Sequence, residues 1–128
     1  MDTTIEKRKD GWEAKTYIDI GPAEDAFKRS GERRLCIDTS KALRGGLVTR
    51  ASVSLHQGNS YSHAFGMGSG LGDYWKRVLV TATRCTEKAV REQHAQALGQ
   101  TDTLLAEAHA FYAAQDARKA QEAQRVAA

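Results

Sequence analysis

The sequence predicts an α+β fold, a small antiparallel sheet of about four strands packed on one long C-terminal helix. Three observations carry that expectation. Residues 11–67 hold runs of alternating apolar and polar side chains separated by glycine-containing turns. Residues 86–125 carry an apolar stripe at helical spacing and are rich in helix formers. The whole chain, 128 residues, has the length of one domain with a modest core.

The first strand is expected near 12–20. Trp12, Ala14, Thr16, Ile18 and Ile20 alternate with Glu13, Lys15, Tyr17 and Asp19, and Gly21-Pro22 closes the run. Leu35 and Ile37 share a face in a second strand near 33–39, the partner of the first in a hairpin. The third strand, near 46–56, sets Leu47, Thr49, Ala51, Val53 and Leu55 against Val48, Arg50, Ser52, Ser54 and His56. A fourth strand near 61–67 follows "QGNS". A two-residue turn at Gly58-Asn59 pairs Leu55 with Ser62 and splits the apolar groups between faces. A loop of odd length pairs Leu55 with His63 and Val53 with Phe65, gathering them on one face, so burial favours the odd loop.

Residues 1–10 are polar and expected to form a flexible N-terminus, with 11–67 as the sheet and 68–85 as a Gly-rich connection with a short helix. "DYWKRVLV" suits a helix capped by Asp73, although "VLVTAT" also has strand propensity. The long helix then spans 86–125 with Thr86 as its N-cap. Val90, Ala97, Leu104 and Phe111 recur every seven residues, as do Leu98, Leu105 and Tyr112. Because that stripe crosses Gly99 in phase, one continuous helix with a tolerated glycine is expected rather than two.

Composition excludes several functions. No apolar run is long enough for a membrane span, and the N-terminus lacks the apolar stretch of a secretory signal, so the cytoplasm is the expected location. The net charge is +3, with 14 Lys and Arg against 10 Asp and Glu in residues 1–84, and 5 against 6 in 85–128. That balance argues against DNA mimicry and falls short of the charge runs of committed nucleic-acid binders. Cys36 and Cys85 lack the spacing of a zinc site and read as packed thiols.

The motifs do not assemble into a catalytic signature. In "HAFGMGSGLGDYWKR" (63–77) a dinucleotide-binding pattern needs glycine at Leu71 or Asp73, and no Gly-Lys-Ser/Thr triplet occurs. An anion-binding nest beside Lys76 and Arg77 is the functional reading; a strand-to-helix connection is the simpler one. His56, His63, His94 and His109 show no metal-ligand spacing; with the odd loop, His56 and His63 face opposite ways, and His94 reads as a satisfied imidazole on the helix stripe. Cys85 ahead of a helix is the best nucleophile candidate, but it has no nameable partner. Neither a cofactor nor a metal is expected.

What is left is a binding protein. One sheet face packs on the helix, and the other is expected to be flat, mildly basic and available to a partner. The expected contact residues are Arg33, Arg34, Arg44, Arg50, His56, Lys76 and Arg77, and the expected partner is a protein. Nucleic acid bound on the basic sheet face is the alternative, and a homodimer through the sheet or the C-terminal helix is also open. In "GGLVTRASVSL" (45–55) and "TEKAVREQHAQAL" (86–98) the chain resembles the small accessory proteins of bacteriophages and mobile elements, anti-CRISPR inhibitors among them. That resemblance implies stoichiometric blocking of a host defence complex rather than enzymatic activity.

Overall fold

A computed structural model describes residues 2–24, 27–57, 60–63 and 75–127. Six strands precede two helices: β1 (Asp2–Arg8), β2 (Gly11–Glu24), β3 (Ser30–Lys41), β4 (Leu47–Gln57), β5 (Ser60–His63), β6 (Trp75–Thr81), α1 (Glu87–Leu98) and α2 (Thr101–Ala127). The strands form one antiparallel sheet in the order β1-β2-β3-β4-β5, with β6 also pairing with β4. The α+β architecture is the one the alternation and the helical stripe predict, with two more strands and a divided helix. Among the described residues no helix is long and apolar enough to cross a membrane.

Residues 2–8 are not a flexible tail but the edge strand β1, with Ile5 opposite Ala14. Thr3, Thr4 and Ile5 are β-branched and suit a pleated surface, while Glu6, Lys7 and Arg8 discourage further pairing at the edge. Residues 75–81 are likewise a strand, not a helix. Their Val-Leu-Val run fills the edge of β4 over Leu47–Ser52, and β5 takes Ser54–Gln57 of the same edge.

That division settles the hairpin register against the odd loop. Leu55 lies opposite Ser62, Ser54 opposite His63, and Gln57 opposite Ser60, leaving two residues between the strands. β6 supplies Val78 and Leu79 to the core along this edge, so burial does not require the odd loop. Positions 56 and 63 consequently fall on the same face. Phe65, Met67 and the glycine run 66–72 lie outside the described residues.

The helix is divided at Gly99. Gly99 N–H bonds Gln96 C=O at 3.1 Å and Gln100 N–H bonds Ala97 C=O at 2.9 Å, two tight i to i−3 turns, before α2 begins. The Thr101 hydroxyl donates to Leu98 C=O at 2.6 Å. Val90, Ala97 and Leu104 are all fully buried on either side of the break, so the stripe keeps its phase through it. Thr86 caps α1, its hydroxyl accepting from Ala89 N–H at 3.2 Å.

Both helices dock on one face of the sheet. One apolar cluster joins Leu35, Ile37, Ala51 and Val53 to Ala97, Leu104, Ala108 and Tyr112. A second joins Ala14 and Leu47 to Val90, with Ile5, Trp12 and Cys85 against it. Between them runs a buried polar row. Thr3 and Thr16, opposite one another, share a hydrogen bond at 2.8 Å, and so do Thr39 and Thr49 at 2.7 Å. Where the threonines are offset, adjacent α1 side chains bridge them. His94 Nε2 meets Thr16 at 2.7 Å and Nδ1 meets Thr39 at 2.8 Å. The Gln93 amide donates to Thr49 at 3.1 Å and accepts from Thr81 at 2.6 Å.

The row thus fixes α1 against β2, β3, β4 and β6 at once, with Thr3 of β1 joined to it through Thr16. It also has a direction. Gln93 donates to Thr49; if Thr49 donates to Thr39 and Thr39 to His94 Nδ1, every hydroxyl proton finds an acceptor. His94 then carries its proton on Nε2 and donates to Thr16.

Glycine is required where turns pack closely. At Gly11 (φ +142°) a Cβ would stand 2.7 Å from Cys85 Sγ, and at Gly46 (φ +80°) it would run into the Thr81 carbonyl. These contacts gather the β1–β2 turn, the β3–β4 turn (42–46) and the 82–86 segment at one end of the sheet.

Candidate functional site

The sheet face opposite the helices carries Glu13, Lys15, Tyr17 and Asp19 from β2, Arg34, Cys36 and Asp38 from β3, and Arg50, Ser52, Ser54 and His56 from β4. Arg77 lies opposite Arg50 on β6. Acids and bases interleave here, Glu13, Asp19 and Asp38 against Lys15, Arg34, Arg50 and Arg77, so the face is charge-mixed with a slight positive balance. Its small residues are well packed among long ones, with Val48 3% and Ser54 2% exposed.

Two predicted contact residues, Arg34 and His56, come together. Arg34 Nε pairs with Asp19 Oδ1 at 2.8 Å, and its Nη1 lies 3.5 Å from His56 Nδ1. His56 Nε2 is 3.0 Å from Ser54 Oγ, and its ring meets Tyr17 edge-on at 5.2 Å between centroids. The Ser54–His56 pair has the wrong polarity for a nucleophile and its base. A guanidinium can only donate, so Arg34 favours a bare Nδ1 and a proton on Nε2, pointing at the serine it would have to deprotonate.

Beside this cluster, burial and then Asp38 push the Cys36 thiol up to about 11, away from the thiolate a nucleophile needs. Burial first and Glu13 second raise the Asp38 carboxyl. Burial works to lower the Lys15 ammonium, but Glu13 (3.6 Å away) and Asp38 outweigh it and the net shift is upward.

Arg33 and Lys76 belong to the opposite face. Arg33 lies over the Tyr112 ring at 4.0 Å and forms a two-pronged pair with Asp116 at 3.0 and 3.1 Å. Hydrogen bonding from Arg33 holds the Asp116 carboxyl below its usual range. Lys76 Nζ pairs with Glu107 at 3.1 Å. These cations tie α2 to the sheet and do not share a surface with Arg34 and His56. Arg44 is exposed in the 42–46 turn, at the sheet end.

Cys85 accepts from Trp12 N–H at 3.3 Å and donates to Trp12 C=O at 3.1 Å, so it joins the β1–β2 turn to the start of α1. Both cysteines are free. His94 is buried in the threonine row and His109 is exposed on α2. Among the described residues no three His, Cys, Asp or Glu side chains gather as metal ligands would. A concavity of about 470 Å³ opens between Asp10, Lys41, Gly46, Arg84, Cys85 and Thr86. Sequence reasoning did not single out Lys41 or Arg84, because only the packing of three distant turns brings them to one rim. Compared with protein-family models, curated proteins and solved structures, the chain matches none.

Proposed function

We propose that the chain is a non-catalytic binding protein that acts by protein–protein contact through the uncovered sheet face. The partition of the faces supports this reading: both helices, with Arg33 and Lys76, are spent on one side. The other presents a mixed, partly pre-packed surface of Tyr17, Arg34, Asp38, Arg50, His56 and Arg77. Interleaved acids and bases suit a protein surface of alternating charge better than a uniform phosphate backbone. In the mobile-element class that the sequence resembles, the partner is a host defence complex, and occlusion of its working surface is the mode of inhibition.

Reversing two charges on this face tests the reading. Arg50→Glu with Arg77→Glu is expected to cut capture of the host partner by more than about tenfold with an unchanged unfolding midpoint, since truncated or reversed interface anchors cost a few kcal/mol. Arg118→Glu, exposed on α2, serves as the control and leaves capture intact. Undiminished capture by the sheet-face variant overturns the proposal.

A further inference from the structure

We infer that the end of the sheet formed by the β1–β2 turn, the 42–46 turn and the start of α1 binds the phosphate backbone of a nucleic-acid duplex. Among the described residues, the ion pairs engage Arg8, Lys15, Arg33, Arg34, Lys76 and Arg91. Lys9, Lys41, Arg44, Arg84 and Lys88 take part in none, and all five are exposed. They come from segments that packing brings together: Gly11 against Cys85, and Gly46 against Thr81 and Ala82. Lys41 and Arg84 line the 470 Å³ concavity itself. Asp10 lines the same concavity, and Glu87 is held by Arg91 at 2.8 Å.

The composition of this end selects the partner. Protein interfaces are depleted in lysine at their centres and enriched in aromatics. Here three of the five cations are lysines; Leu43 at the tip is 98% exposed, and Trp12 of the same end is half-buried against the second core cluster. Lysine and arginine in turns and at element ends match sequence-independent contact to phosphates. This surface is separate from the one proposed for protein contact.

A generic 20-base-pair DNA duplex, titrated by fluorescence anisotropy across a salt series, tests the inference. With all five cations on phosphates, log affinity falls against log salt with a slope of about −4.5. Lys41→Glu with Arg84→Glu is expected to reduce that slope by about 2 and to weaken low-salt binding more than about tenfold. Arg50→Glu with Arg77→Glu is expected to change it little. Absence of binding at about 25 mM salt overturns the inference. Equal loss from the sheet-face variant, or competition by poly-glutamate as effective as by DNA, also overturns it. A matched unfolding midpoint shows that the variants are folded.

Discussion

Truncating Leu104 to alanine lowers the unfolding free energy by about 3 kcal/mol, within the usual range for deleting a buried leucine and leaving its cavity. Leu104 is fully buried and is a centre of α2 contact with Leu35, Ile37, Ala51 and Val53. Denaturant titration is the measurement, read as a shifted midpoint at constant slope. Leu105, only partly buried against the same cluster, costs less when truncated. A loss below about 1 kcal/mol for Leu104 contradicts the docking of α2 on this face, because so small an effect belongs to surface positions.

Replacing His94 by alanine has a comparable effect for a different reason. The imidazole bridges Thr16 and Thr39 inside the fold, so its removal opens a cavity and takes one hydrogen bond from each buried hydroxyl, together about 2–4 kcal/mol. The site also makes stability depend on pH. Burial lowers the His94 pKa from its ordinary 6.5. The unfolded chain therefore takes up the proton first, and stability falls as pH drops below about 6.5, levelling once the folded-state value is passed. His94→Ala lacks this component, which precedes any loss from Asp116, whose lowered pKa gives a contribution that disappears only as pH falls below the carboxylate range. Nitrogen NMR of the native protein is expected to show Nε2 protonated and Nδ1 bare.

The sheet and its core were largely legible because alternation is a backbone property. The runs from Trp12 to Ile20 and from Leu47 to Leu55 fix which side chains share a face whatever lies beyond them. The two missed strands gave weak signals for different reasons: β1 brings only Ile5 to the core, and β6 is an apolar run that helix and strand templates both accept. The break at Gly99 was hidden by its own geometry, since a tight turn that keeps the helical phase leaves the apolar stripe intact.

The candidate site was read less well, and unevenly. Arg33, expected among the contacts of the open face, alternates in step with Leu35 and Ile37, a parity that belongs to the covered face; its partner Asp116, 83 residues away, could not be seen. Thr16, Thr39 and Thr49 share parity with buried residues in three strands, a signal for an interior polar row. The basic end escaped because its five cations are scattered over 80 positions and meet only through turn packing.

Adjacent cysteines on β4 test the division of the two faces most directly. Ala51 is fully buried under the helices, whereas Ser52 points to the uncovered side, opposite Cys36. In native protein, Ser52→Cys is expected to react with a small thiol reagent at least about a hundredfold faster than Ala51→Cys. The buried position has to await local or global opening, and peptide mapping separates both from Cys36 and Cys85. Equal rates, or faster labelling at position 51, contradict the assignment of the faces.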